Sequence, residues 1–152
     1  QAGVIKIAHQ HKIISAIVSK DFFANEDKMD RLLNTFPIDM IVLAGFLQLV
    51  PPFLLKKFPN RVINIHPALL PAYGGKGMYG QKVHQAVLNN KEPETGITIH
   101  YVNEKYDEGE VILQKKVAVS ETETAESLAT KVQQLEHEWL PKTIEQLLMA
   151  TA

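Results

Sequence analysis

The chain has 152 residues, 45% apolar and 22% charged, with 16 basic against 17 acidic residues and a formal net charge of −1. That composition is ordinary for one globular domain with a buried core, and it excludes a disordered chain. Arg31 and Arg61 are the only arginines, which speaks against a nucleic-acid surface; no apolar run reaches membrane-spanning length, and the lack of Cys rules out disulfides, zinc ribbons and thiol nucleophiles.

The first elements alternate between helix and strand. Val4, Ile5, Ile7, Ala8 and His11 sit at helical spacing, so 3–10 reads as the body of a helix. The β-rich run Ile13 to Val18 reads as a short strand. Met29, Leu32, Leu33 and Phe36 then recur at three and four residues, an amphipathic helix ended by Pro37. Asp39 to Ala44 is continuously apolar after its first residue and closes at Gly45, as expected of a strand buried on both faces.

Pro51 and Pro52 open a helix over Phe53 to Phe58, because proline is tolerated in a first turn. Arg61 to His66 is the next strand. Residues 71–80 are glycine-rich without the order of a nucleotide P-loop, and are expected to wall a cleft. A helix around Val83, Ala86 and Val87 ends at Asn89-Asn90. Ile97 to Val102 and Val111 to Val119 read as strands of an antiparallel hairpin. Thr124 caps a last helix with Leu128, Val132, Leu135 and Trp139 on one face, and Pro141 is expected to kink or break it.

This alternation predicts an α/β fold, an open, mostly parallel twisted sheet with helices on both faces, ending in an antiparallel hairpin and a long helix. Right-handed crossovers would bring the carboxyl ends of strands 39–44 and 61–66 to one edge, where such sheets bind ligands. Asn64 and His66 stand at that edge. Two positions apart on an extended chain, they face the same way. An amide can hold a carbonyl oxygen while the imidazole handles the proton. Alone, Asn-x-His reads more readily as an ordinary strand end.

Four blocks change that reading: Val42-Leu43-Ala44-Gly45-Phe46, Asn64-Ile65-His66-Pro67-Ala68-Leu69-Leu70-Pro71, Gly96-Ile97-Thr98-Ile99-His100 and Tyr106-Asp107-Glu108-Gly109. In this order and spacing they resemble the phosphoribosylglycinamide formyltransferase family, a Rossmann-like, folate-dependent family of purine biosynthesis. The resemblance implies transfer of a formyl group from 10-formyltetrahydrofolate to the amine of glycinamide ribonucleotide, with no metal. It assigns catalysis to Asn64, His66 and Asp107, with Asp107 raising the His66 pKa by charge proximity. It assigns folate binding to Leu47, Gln48, Leu49, Val50, Val62, Asn64, Asn103, Glu104, Lys105, Tyr106 and Asp107, and the ribonucleotide to Gln133, Gln134, Leu135 and Glu136. The family's folate-tail position has no clear match near residues 24–28.

The resemblance further implies a cytoplasmic enzyme whose partner is a small-molecule substrate, with no nucleic acid or membrane and with a homodimer left open. Family members begin with a strand and a Gly-Ser-Gly-type loop that holds a phosphate at a helix start. No stretch here matches that unit, so residues 1–152 are expected to be a single formyltransferase domain, incomplete at its amino end. Two alternatives stand beside transfer: a deformylase in which water replaces the amine, and a truncated chain that catalyses nothing. Among the other histidines, His9, His11 and His137 read as surface residues, with a supporting role open for His137. His84 reads as structural, and His100 equally as a strand residue or as a buried support of the site.

Overall fold

The computed structural model describes residues 3–150, and the chain divides into two compact units, residues 1–38 and 39–152. The first unit holds three helices: α1 (Gly3–Gln10), α2 (Lys20–Ala24) and α3 (Glu26–Leu33). Ser19 and Asn25 cap α2 and α3 by accepting the N–H groups of Phe22 and Lys28. Met29 is buried on α3, as its amphipathic spacing predicts.

The strand expected over 13–18 is absent. Lys12 adopts a left-handed φ of 56° and the Ile13 N–H bonds the Ala8 carbonyl at 2.8 Å, a Schellman-type end to α1. Residues 14–18 then run exposed outside any ladder. β-branched composition favours a strand only where a neighbour pairs its backbone.

The second unit is built on a four-stranded sheet in the order β1 (Ile41–Ala44), β2 (Val62–His66), β3 (Glu94–Tyr101) and β4 (Val111–Ala118). β1 and β2 are parallel, joined through α4 (Pro52–Lys57). β2 pairs antiparallel with β3, after α5 (Gln81–Asn89), and β3 pairs antiparallel with β4. The α/β class and the terminal hairpin agree with expectation, but only one of these three strand pairs is parallel. The connection from β2 to β3 is long enough to return in either direction, so the sequence carried no sign of its sense.

The long helix α6 (Ala125–Ala150) starts at the predicted cap. Thr124 Oγ1 accepts the Ser127 N–H at 3.2 Å, and Ser127 Oγ accepts the Thr124 N–H at 3.0 Å. Pro141 lies inside this single helix and does not break it. Proline removes one backbone donor, but Val132, Leu135, Trp139, Leu140, Ile144 and Leu147 all pack with the sheet core, from both sides of Pro141. Tertiary burial outweighs one lost hydrogen bond. The Trp139 ring also has two ammonium groups against it, Lys115 Nζ from β4 at 3.7 Å and Lys142 Nζ at 4.6 Å from the ring centre.

Register decides what each face of the sheet carries. Ile63 pairs with Tyr101 and Ile65 with Ile99, and these residues join Ile97 and Val132 in the core. Opposed residues share a face and neighbours alternate. Asn64 opposite His100 and His66 opposite Thr98 therefore occupy the other face. A slip of one residue would bury the polar set in the core.

Candidate active site

Asn64 and His66 leave β2 at its carboxyl end, and Asp107 reaches them from the loop between β3 and β4. His66 Nδ1 lies 3.5 Å from Asp107 Oδ2, and His100 Nε2 lies 3.6 Å from Asp107 Oδ1. Asn64 Nδ2 stands 3.2 Å from His100 Nε2. His100 is thus the buried support that was one of its two sequence readings.

Carbonyl partners fix the proton positions on both rings. His66 Nε2 is 2.8 Å from the Tyr73 carbonyl and His100 Nδ1 is 2.8 Å from the Tyr101 carbonyl. A carbonyl only accepts, so each of those nitrogens carries hydrogen. In the neutral ring His100 Nε2 offers its lone pair to the Asn64 amide; protonated, it faces Asp107 Oδ1 as a donor. His66 Nδ1, the nitrogen that gains or loses a proton, faces Asp107.

Burial lowers the His66 pKa, opposed by Asp107 and the Tyr73 bond and reinforced by His100. The expected rise from Asp107 exists but does not win, because the imidazole is 4% exposed and its charged form is poorly solvated. Burial also opposes ionisation of Asp107. Contact with His100, the Gly75 N–H at 2.9 Å and the charges of both imidazoles outweigh it and hold Asp107 below the usual carboxylate range. The resting pair is a neutral imidazole beside a carboxylate.

Asp107 itself has φ +55°, a left-handed conformation that aspartate tolerates better than most residues. Just beyond it, a Cβ on Gly109 would fall 1.6 Å from the Tyr101 carbonyl oxygen. The Asp-Glu-Gly turn therefore needs glycine to let the aspartate loop close onto β3.

Two clefts meet at these residues. The larger, about 590 Å³, is lined by the glycine-rich loop, His66, His84 and one face of α6. The smaller, about 40 Å³, is lined by Leu43, Gln48, Leu49, Val50, His100, Val102, Asn103 and Lys105. Phe46, Asn64, Tyr106 and Asp107 line both.

Most of the residues expected to bind folate gather on the small cleft. Leu47 lines the large one instead, and Glu104 lines neither. Val62 is 2% exposed and also lines neither; alternation puts it on the Asn64 face, but one pair further from the strand end it is covered. Of the four α6 positions, Gln133 and Glu136 line the large cleft. Leu135 packs in the core and Gln134 is exposed, as helical geometry requires of intervening positions. Burial raises the Glu136 pKa, with His137 opposing. Among the described residues, no group of three or more His, Asp or Glu is placed to hold a metal ion.

Several contributors carry no motif. Tyr73 and Gly75 act through backbone groups, which no side-chain pattern reveals. Thr98 bonds the Leu70 N–H at 3.0 Å and the Ala68 carbonyl at 2.7 Å, while Gln114 Nε2 bonds the Leu70 carbonyl at 2.8 Å. Together they hold the segment after His66. Glu126 and Thr130, at two turns and one turn before Gln133, also line the large cleft.

The sequence profile of the formyl transferase family matches residues 1–144. The chain is 50% identical over 106 residues to the chloroplastic phosphoribosylglycinamide formyltransferase of Arabidopsis thaliana, covering 70% of this chain and 36% of that relative. It is 35% identical over 152 residues to phosphoribosylglycinamide formyltransferase of Bacillus subtilis (strain 168), covering 97% of this chain and 75% of the relative. The crystal structure of phosphoribosylglycinamide formyltransferase from Bacillus halodurans matches with a TM-score of 0.86 at 32% identity, over 100% of this chain and 79% of that one. The chain thus spans little more than a third of the plant relative and three quarters of the bacterial one. With its four sequence blocks, its fold and these relatives in agreement, the chain belongs to the formyl transferase family, among the phosphoribosylglycinamide formyltransferases.

Proposed function

We propose that this chain carries the reacting centre for transfer of a formyl group from 10-formyltetrahydrofolate to the amine of glycinamide ribonucleotide. The observation that carries this reading is the position of Asn64 and Asp107 on both clefts at once. A donor in the small cleft and an acceptor in the large one would present the formyl carbon and the amine to the same side chains.

The chemistry follows from the groups available. The amine forms a bond to the formyl carbon, and the carbonyl electrons move onto oxygen. Asn64 spends one amide hydrogen on His100 and has a second for that oxygen. His66 rests neutral, so its Nδ1 lone pair takes the proton that the amine loses, and Asp107 stabilises the resulting imidazolium. As the bond from carbon to the folate nitrogen breaks, His66 returns that proton to the nitrogen. Electrons and protons balance without a covalent enzyme intermediate. Gln133 and Glu136 offer the acceptor hydrogen-bonding groups in the large cleft.

The test is tetrahydrofolate release from 10-formyltetrahydrofolate, with and without glycinamide ribonucleotide. Release that requires the ribonucleotide is the expected result. Release at the same rate without it would replace the transferase reading by a hydrolase, and no release in either case would leave a ligand-binding chain.

A further inference from the structure

Tyr73 is a bulky residue in a conformation that glycine adopts more readily, with φ +58°. Such a conformation strains a bulky L residue, and its side chain makes contacts that a glycine could not. Its hydroxyl donates to Glu92 Oε1 at 2.6 Å and accepts from Asn90 Nδ2 at 2.8 Å. Burial and the bond to Glu92 raise the hydroxyl's pKa, so it stays a donor.

The backbone beside that side chain touches both members of the proposed proton-transfer pair. The Tyr73 carbonyl accepts from His66 Nε2 and the Gly75 N–H donates to Asp107 Oδ2. Between them, Gly74 packs closely: a Cβ there would stand 2.5 Å from Leu70 Cδ2, which would have to move, and 3.2 Å from Asp107 Cβ. Segment 73–75 therefore brackets the pair from one side. Its attachment to the end of α5 runs through a hydroxyl at some remove from either cleft wall, since neither Glu92 nor Asn90 lines a cleft.

We propose that Tyr73 is a positioning residue, whose hydroxyl clasp to Glu92 and Asn90 holds segment 73–75 so that His66 keeps hydrogen on Nε2 and turns Nδ1 to Asp107. The clasp acts through His66 and touches no reactant. It rests on the transferase reading only for its effect on rate; the tautomer of His66 can be read without any substrate.

Nitrogen-15 NMR of histidine-labelled protein, with His66→Gln identifying the His66 signals, tests this directly. The wild type should show His66 as the Nε2–H tautomer. Tyr73→Phe should show mixed tautomers and a kcat lowered about tenfold with both KM values kept, as expected of a misplaced catalytic group. Glu92→Ala should reproduce that behaviour, and Glu92→Gln, which keeps an acceptor oxygen, should restore the single tautomer. An unchanged single tautomer in Tyr73→Phe would overturn the proposal whatever the activity. If no variant or wild type transfers formyl, yet the tautomer shifts as stated, the clasp stands and the transferase reading falls.

Discussion

The two clefts that meet at Asn64 and Asp107 are made from different material. The small one is walled by chain leaving strand ends, Gln48 to Val50, Val102, Asn103 and Lys105 to Asp107, around a buried His100. The large one is walled by a glycine-rich loop and a helix face, with Gln133, Glu136, Glu126 and Thr130 offering polar groups at helical spacing. The apolar members of the small slot, Leu43, Phe46, Leu49, Val50 and Val102, suit contact with a flat ring. A wide cleft of spaced polar groups suits a sugar-bearing ligand. The contrast teaches that the residues shared by both clefts, together with His66 beside the shared Asp107, should govern rate, while the other residues confined to one should govern the affinity of one ligand.

Four changes would sharpen or break that division. The largest effect is expected from His66→Ala, which removes the proton carrier and should lower kcat by about 10²–10⁴ with both KM values nearly kept. Steady-state kinetics with each ligand varied in turn would check it; a rise in one KM without loss of kcat would make His66 a binding residue. Next comes Asn64→Ala, with a loss of about 10²–10³ in kcat from the missing oxyanion donor. Because Asn64 also bonds His100, a folding control by circular dichroism belongs beside the rate.

A smaller and more selective effect is expected within each cleft. Gln133→Ala with Glu136→Ala should raise the ribonucleotide KM by about tenfold, the loss of roughly one good hydrogen bond. It should leave the folate KM alone. Leu49→Asp, on the small cleft, should do the reverse. If either variant moved both constants equally, the assignment of one ligand to each cleft would fail.

The smallest effect is on stability. Burial lowers the His66 and His84 pKa values, so below their unfolded value, about 6.5, the unfolded chain binds more protons than the folded one. Stability is then complete above that pH and declines as pH falls toward the folded values. Asp107 acts in the same direction at lower pH, because its folded pKa is also depressed. Urea unfolding at about pH 7.5 and about pH 5.5 should show a loss in the wild type that His66→Gln reduces.

Much of this was legible in the sequence where neighbours along the chain decide the outcome. The strand at 62–66, the cap at Thr124 and the buried side of α6 all follow from local pattern. The strand assigned to 13–18 did not form, because β-branched residues need a partner that local pattern does not supply. Pro141 was expected to kink or break the last helix, and packing on both sides of it keeps α6 unbroken. The site divides in the same way. Asn64 and His66 were visible as alternating residues on one strand, and Asp107 through the family resemblance. Tyr73 and Gly75 were not visible, since a carbonyl and an N–H belong to every residue. The raising effect of Asp107 on His66 was legible too, while the depth of burial that outweighs it was not.

The most direct test of the central claim is Asp107→Asn, with turnover and both ligand affinities measured on the same protein. This change keeps the shape and removes the charge that faces His66 Nδ1 at 3.5 Å. The account predicts a kcat lower by about 10²–10⁴, while calorimetric Kd values for 10-formyltetrahydrofolate and glycinamide ribonucleotide stay close to those of the wild type. Wild-type turnover, or a loss explained entirely by weaker binding of either ligand, would contradict it.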